Sequence, residues 1–197
     1  MNNKPKRLIL GFIPNNQCNL KCEYCYITQM ERWGKNSSDF IYPPEHIVKA
    51  LSAKRLGGKS LINLTGQGET LLYSGIVELT KGLLMEGHFV ELVTNALSTK
   101  VINTLLEIPD QFLSHLEFKI SFHYKELQRK NLLTHFFRNV QSIKASAASF
   151  SLELMPYDEI ETCIDEINRI CIEKVGAKCH ATIGRKDSAA GRGLLTE

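Results

Sequence analysis

The feature of the sequence that most constrains its fold is an alternation between short apolar runs and longer segments of helical periodicity. Six runs have the length and composition of strands, and five segments between them repeat apolar residues every three or four positions. This alternation favours βαβ units that share one parallel sheet, either open and doubly wound or curled into part of a barrel. A closed eight-strand barrel usually needs about 250 residues. Because the chain has 197 residues, we expect an α/β fold with a partial (β/α)6-type parallel barrel.

The order of these segments predicts one large domain. Residues 1–183 form the predicted core domain, and the polar residues 184–197 a C-terminal tail that is mobile or cut from a longer element. Pro44 at the start of the first helix and Gly87 after the second are typical helix boundaries. The predicted strands are residues 8–13, 60–65, 89–94, 116–122, 150–155 and 177–183. The predicted helices are residues 44–56, 71–86, 99–107, 132–145 and 157–175.

Composition and charge exclude several classes of protein. With 43% hydrophobic and 23% charged residues the chain is typical of globular proteins, and a net charge of +3 gives no indication of nucleic-acid binding. The apolar run at residues 8–13 is shorter than a signal-peptide core or a membrane span. We therefore expect a cytoplasmic protein with no membrane partner, whose six cysteines are reduced thiols, ligands or nucleophiles rather than disulfides.

Three cysteines lie close together after the first predicted strand, in the stretch NNQCNLKCEYCYI. Cys18, Cys22 and Cys25 have the spacing C-x3-C-x2-C and follow the carboxyl end of a strand, where parallel α/β folds gather ligands. A tetrahedral zinc site needs a fourth cysteine or histidine at matching distance, and the nearest histidine is His46. Iron–sulfur clusters bind thiolates at such short spacings. A four-iron cluster held by three cysteines keeps one iron open for a small molecule, as catalytic metal sites do.

Polar residues near the cysteines and after the second strand suit ligand binding. Gly66 and Gly68 let backbone groups approach a ligand without an intervening Cβ, and the carboxylate of Glu69 suits an ammonium group. Tyr24, between two of the cysteines, offers a flat face and a hydroxyl to an adenine ring. The following Thr70 has the side chain of a helix cap.

These motifs together resemble the radical S-adenosylmethionine (radical SAM) superfamily over most of the chain. CNLKCEYCY resembles its C-x3-C-x-aromatic-C motif, and LTGQGET its glycine–glutamate motif, with threonine where the family often has proline. LVTNA and KISFHYKE are similar to the ends of its third and fourth strands. The resemblance implies a [4Fe–4S] cluster, S-adenosylmethionine (SAM) as its ligand, and reductive cleavage to a 5′-deoxyadenosyl radical that abstracts hydrogen from a substrate. An electron donor of flavodoxin or ferredoxin type follows from that chemistry.

The resemblance also assigns residues to the cofactors, by position in the matching motifs. Some positions keep two interpretations: Asn95 binds ligand or caps the next turn, His123 lies near substrate or is structural, and Glu153 faces a polar cavity or solvent. The implied metal ligands are Cys18, Cys22 and Cys25. The implied SAM-binding residues are Tyr24, Gly66, Gln67, Gly68, Glu69, Asn95, Ser121, His123 and Glu153, with Tyr24 at the adenine and Ser121 at the ribose.

The remaining expectations concern the substrate and the distal cysteines. The form of the cysteine motif favours a peptide or protein substrate over a small molecule. Cys163, Cys171 and Cys179 recur every eight residues, but the first two lie among isoleucines of an amphipathic helix, so we expect core thiols rather than an auxiliary cluster. The alternative function is that of a non-catalytic iron–sulfur or zinc-binding protein.

Overall fold

Six parallel strands form one sheet in residues 4–33, 40–188 and 191–195, the part of the chain that the computed structural model describes. Consecutive strands are neighbours in the sheet, and every neighbouring pair is parallel. Doubly wound sheets reverse their strand order at a switch point, so this unreversed order is that of a partial barrel, as predicted. The strands are β1 (Leu8–Ile13), β2 (Leu61–Gly66), β3 (Phe89–Thr94), β4 (Leu116–Ser121), β5 (Ser149–Leu154) and β6 (His180–Ala181).

The two faces of the sheet have different environments because side chains alternate along each strand. One face is apolar and packs against helices, with Ile62, Leu92 and Ile120 almost fully buried. The other face carries Thr65, Val93 and Ser121, which line a cavity; we call it the cavity face. Burial of the first face stabilises the sheet, and the cavity face positions polar side chains for binding.

Helices connect the strands, and three of the five predicted helices are interrupted. The helix predicted at 44–56 breaks before Ala53, whose backbone N–H donates to the Glu86 carboxylate at 3.1 Å instead of continuing the first helix. The helix predicted at 71–86 begins only after Gly75, where a Cβ would lie 2.8 Å from Pro44 and from Tyr73. The helix predicted at 157–175 breaks at Cys163.

The described helices have the following bounds. They are α1 (Tyr26–Gln29), α2 (Pro44–Ala50), α3 (Ala53–Leu56), α4 (Ile76–Met85), α5 (Thr99–Leu106), α6 (Asp110–Leu113), α7 (Tyr124–Arg129), α8 (Leu133–Lys144), α9 (Asp158–Glu161) and α10 (Ile164–Val175), with a 3-10 helix at Thr70–Leu72. The sequence did not predict α1, α6 or α7. None of these helices combines the length and the apolar character that crossing a bilayer requires.

An antiparallel hairpin occupies most of the predicted tail. Its strands are β7 (Arg185–Ser188) and β8 (Gly191–Leu194), which the sequence did not predict. The hairpin is tied to α1 by Gln29, whose side chain accepts from Asp187 N at 2.8 Å and donates to Arg185 O at 3.2 Å. The chain after the core therefore returns to the cysteine loop. The mobility of the tail stays a prediction.

Candidate functional site

The three clustered cysteines lie on the loop that leaves β1 and leads into α1. Cys22 is buried, while Cys18 and Cys25 are partly buried. Cys25 precedes the first residue of α1, and its N–H donates to Cys22 O at 3.1 Å. All three side chains line one cavity of about 420 Å³ at the carboxyl ends of the strands. This is the edge of the sheet at which the sequence predicted the metal ligands.

Burial keeps these thiols protonated unless a cationic centre binds them. Burial raises the pKa of Cys18 to about 11, and it also raises the pKa values of Cys22 and Cys25. Coordinated metal keeps a thiol deprotonated where the protein alone would not. The sulfur of Cys18 accepts from Leu20 N at 3.4 Å and from Asn95 Nδ2 at 3.7 Å. Donors of this kind stabilise cluster thiolates, so the residues present fit an iron–sulfur cluster.

The glycine loop packs directly on the chain that precedes Cys18. Gly68 N donates to Asn15 O at 2.7 Å, and Glu69 N donates to Gln17 O at 2.8 Å. A Cβ at Gly68 would lie 2.0 Å from Gln17 O, whereas a Cβ at Gly66 would meet nothing closer than 3.5 Å. Gly68 is therefore required by this close approach of two loops, a role that the sequence did not reveal.

The Glu69 carboxylate is buried beneath the cavity and already bonded to the protein. Its Oε1 accepts from Thr94 Oγ1 at 2.5 Å and from Leu71 N at 3.0 Å, and its Oε2 accepts from Asn95 N at 2.8 Å. Burial raises the pKa of Glu69, while these three bonds oppose the shift. With a single bond, Oε2 keeps capacity to accept from a ligand ammonium. Glu69 thus joins the glycine loop to the end of β3.

The expectation that Thr70 caps the following helix is wrong. Glu69 is the capping residue, since its carboxylate accepts from Leu71 N. The Thr70 hydroxyl instead accepts from Gly66 N at 3.1 Å. This bond joins the two ends of the Gly66–Thr70 turn. The threonine that stands in place of the family's proline therefore stabilises the glycine loop.

Asn95 serves both the turn and the cysteine loop. Its Oδ1 accepts from Leu97 N at 3.2 Å, which is the predicted turn cap. Its Nδ2 donates to Asn19 Oδ1 at 2.6 Å as well as to Cys18. The structure therefore brings Asn95 to the cysteine loop, where it contacts a thiol as well as capping the turn.

Tyr24, Ser121 and His123 meet on the cavity face. The Tyr24 hydroxyl is hydrogen-bonded to His123 Nδ1, and the ring centre of Tyr24 lies 4.7 Å from that of Tyr157. Burial lowers the pKa of His123 to about 4, although Glu126 opposes the shift, so the imidazole is neutral. β4 ends at Ser121 rather than at 122, and His123 precedes α7 instead of lying on the strand. Ser121 and His123 nevertheless line the same cavity, and their contacts with ligand stay predictions.

Glu153 lies deeper, in a second cavity of about 210 Å³ that shares Tyr24, Ser121 and His123 with the first. Its carboxylate accepts from Thr182 Oγ1 at 2.5 Å, from His180 Nδ1 at 3.0 Å and from Ser151 Oγ at 3.1 Å. Although burial opposes the shift, these bonds lower the pKa of Glu153. The side chain of Glu153 thus faces a cavity rather than solvent, but not the cavity of the cysteines, and its contact with SAM or substrate stays a prediction.

Two sets of residues around the cavity were missed by sequence reasoning. Glu126 accepts from Lys21 N at 3.0 Å and from two Arg129 nitrogens at 2.8 Å, which fixes the middle of the cysteine loop. Glu126 and Arg129 are three residues apart, a spacing at which side chains pair on a helix, so this contact could have been predicted from the sequence. The Tyr26 hydroxyl donates to Gln67 O at 3.1 Å, and Arg185 lies over its ring; the contact with Arg185 depends on the unpredicted hairpin.

The three distal cysteines pack against the core. Cys171 is fully buried, and Cys163 and Cys179 are partly buried, in keeping with the expectation of core thiols. In the described residues no three histidine, cysteine or acidic side chains are placed to hold a single metal ion. The structure does bring Cys171 and Cys179 into contact.

Most of the chain matches the model of one known family. The model of the Radical SAM superfamily matches residues 12–146. The chain belongs to this superfamily. Its members are SAM-dependent enzymes that use a [4Fe–4S] cluster, so the predicted family and its cofactors are confirmed. No curated protein matches the chain.

Solved structures of radical SAM enzymes share the fold. SuiB from Streptococcus suis has a TM-score of 0.61 at 14% identity, covering 99% of this chain and 43% of SuiB. SuiB bound to the precursor peptide SuiA has a TM-score of 0.56 at 17% identity, covering 87% and 38%. Native anSMEcpe with bound AdoMet and Kp18Cys peptide has a TM-score of 0.63 at 15% identity, covering 89% and 50%. This radical SAM chain spans half or less of their length.

Proposed function

We propose that this protein holds a [4Fe–4S] cluster through three cysteines and reductively cleaves SAM at it. The observation that carries the proposal is the convergence of Cys18, Cys22 and Cys25 with the Gly66–Thr70 turn on one cavity. When bound, the cluster and SAM supply a 5′-deoxyadenosyl radical for hydrogen abstraction. The protein's part is to bind, orient and shield these groups.

Different residues of the cavity would bind different parts of SAM. Glu69 Oε2 and the backbone of the glycine loop, including exposed Gln67, would hold the methionine ammonium. Ser121 would donate to the ribose, because its hydroxyl lies on the cavity face at the end of β4. Tyr24 would contact the adenine through its ring edge, since its hydroxyl is bonded to His123. His123 would then orient Tyr24, and Asn95 would stabilise the Cys18 thiolate.

A peptide or protein substrate is part of the proposal. SuiB and anSMEcpe, which share the fold, have been crystallised with peptides. In this chain Leu8, Leu10 and Phe12 are 64%, 71% and 51% exposed, and they are in register with residues of β2 on the cavity face. This apolar strip borders the cavity and suits an extended peptide better than a small polar molecule. Glu153 and its cavity would contact the substrate rather than SAM.

An electron donor and a cytoplasmic location complete the proposal. Lys21 and Arg129 are exposed beside the cysteine loop, and Arg129 is 63% exposed. Such cations suit the acidic surface of a flavodoxin or ferredoxin. A reducing cytoplasm keeps the cysteines available as ligands.

The proposal is tested by the formation of 5′-deoxyadenosine. The anaerobically reconstituted protein, reduced with dithionite and given SAM, should form this product, whereas Cys22→Ala should form none. Cys163→Ala, a cysteine change away from the cavity, is the matched control and should keep the activity. Product from Cys22→Ala at the level of the control would overturn the proposal. Replacing dithionite by a reduced flavodoxin then tests the donor.

A further inference from the structure

Two of the distal cysteines are in direct contact. The sulfur atoms of Cys171 and Cys179 lie 3.2 Å apart. Cys171 is on the last turns of α10, and Cys179 directly precedes β6. A disulfide bond has a sulfur separation of about 2.0 Å, so an approach of little more than 1 Å would join them.

The fold itself produces this contact. α10 ends at Val175 and is capped by Gly176, which adopts a left-handed conformation with φ of 87° and whose N–H donates to Cys171 O and Ile172 O. Glycine adopts this conformation without strain, and the chain then reverses towards the edge of the sheet. The reversal returns Cys179 to the helix eight residues after Cys171. The pair is thus held by a helix end and a strand that both pack on the core.

The contact between Cys171 and Cys179 shifts the pKa values of the two thiols in opposite directions. The contact between the two sulfur atoms lowers the pKa of Cys171, and the same contact together with burial raises the pKa of Cys179. Cys171 is fully buried and Cys179 partly buried, so a small reagent reaches the pair from the side of Cys179. Hydrogen peroxide is small enough and reacts with thiolates.

We propose that Cys171 and Cys179 form a peroxide-oxidised disulfide pair in this protein. One sulfur of the pair attacks the peroxide oxygen as its thiolate and becomes a sulfenic acid, releasing hydroxide that takes up a proton to give water. The thiol of the other cysteine then displaces the second water as the sulfur–sulfur bond forms. Two thiols and one peroxide thus give one disulfide and two waters, and the two electrons pass from sulfur to oxygen. Thiol–disulfide exchange with a small thiol reverses the step.

The disulfide would link α10 to the edge strand of the sheet. β6 is paired with β5 through two residues only, and its His180 and the neighbouring Thr182 bond to Glu153 beside the second cavity. A covalent link at Cys179 would therefore hold this edge in place. It requires neither the cluster nor SAM, so the proposal stands apart from the proposed function.

The test is peptide mapping of the full chain after treatment with hydrogen peroxide. Remaining thiols are alkylated, and trypsin then releases residues 170–174 and 179–185 as separate peptides. The proposal predicts that these peptides are joined and two hydrogen masses lighter than their sum. Cys163, in a different tryptic peptide, should remain alkylated, and Cys163→Ser should give the same cross-link as the unchanged protein.

One variant and one further measurement make the outcome decisive. Cys171→Ser should abolish the cross-link and leave Cys179 alkylated. The oxidised protein should unfold at a higher temperature than its reduced form, a difference that Cys171→Ser removes. Recovery of both cysteines as alkylated thiols after peroxide, or linkage of Cys179 to a cysteine of the 18–25 loop, would overturn the proposal.

Discussion

The side-chain amide of Asn95 lies 3.7 Å from the sulfur of Cys18 and 2.6 Å from Asn19 Oδ1. The backbone N–H of the same residue donates to Glu69. One residue at the end of β3 thus joins the cysteine loop to the glycine loop. Because Asn95 is buried, its bonds are made out of contact with water, where an unpaired polar group is costly.

Asn95→Ala should weaken the cysteine loop without disrupting the sheet. Loss of its buried side-chain bonds should lower the free energy of unfolding by about 1–3 kcal/mol and hasten the loss of iron from the reconstituted protein. The measurements are urea unfolding and the decay of cluster absorbance in air. Asn103→Ala, an exposed change on the next helix, is the control. Equal decay of the two variants would show that Asn95 does not support the cluster.

Gly68→Ala and Gly66→Ala should differ in stability. The added methyl group would collide with the Gln17 carbonyl in the first variant and meet only ordinary contacts in the second. We expect Gly68→Ala to lose about 1–3 kcal/mol through forced backbone shifts and Gly66→Ala to lose less than half of that. Urea unfolding of both proteins measures the difference. The close packing of the two loops would be refuted by equal losses.

Glu126→Ala should loosen the middle of the cysteine loop. The change leaves the Lys21 N–H without its acceptor in a partly buried position and removes the ion pair with Arg129. Hydrogen bonds to charged groups contribute about 1.5–3 kcal/mol, so we expect a loss of that order in urea unfolding. Glu173→Ala removes an exposed ion pair with Lys174, and because solvent screens such a pair the change should affect stability much less. Similar effects of the two changes would contradict the anchoring role.

The partly buried imidazole of His123 should make stability depend on pH. Burial lowers its pKa from 6.5 to about 4 in the folded protein, so between these values the unfolded chain binds a proton that the folded one does not. Stability contributed by the neutral ring is therefore complete above pH 6.5 and lost as the pH falls towards 4. His123→Gln should flatten this part of the curve of unfolding temperature against pH, whereas exposed His46→Gln should not. An unchanged slope in His123→Gln would refute the assignment.

Several features of the protein were predictable because they depend on the local pattern of the sequence. The bounds of β1 and β3 agree with the predicted ones, because each apolar run has the length of one strand. The position of the cysteine loop followed from its place after β1. The superfamily followed from the spacing of three cysteines and the glycine loop after β2.

Other parts depend on contacts between distant residues, which no local pattern shows. Thr70 has the chemistry of a helix cap, yet a buried carboxylate one residue earlier occupies that position. The hairpin at residues 185–194 has few apolar residues, and it pairs with α1 through Gln29, far away in the chain. The packing of Gly68 against Gln17 likewise depends on two loops from different strands.

The central claim is that three cysteines hold a cluster with one iron left for SAM. The most direct measurement is the electron paramagnetic resonance spectrum of the reduced, reconstituted protein before and after addition of SAM, with iron counted in the same sample. We predict four irons per chain and a spectrum that SAM changes, because SAM would bind the iron that lacks a cysteine. A spectrum that SAM leaves unchanged, or zinc in place of iron, would contradict the account.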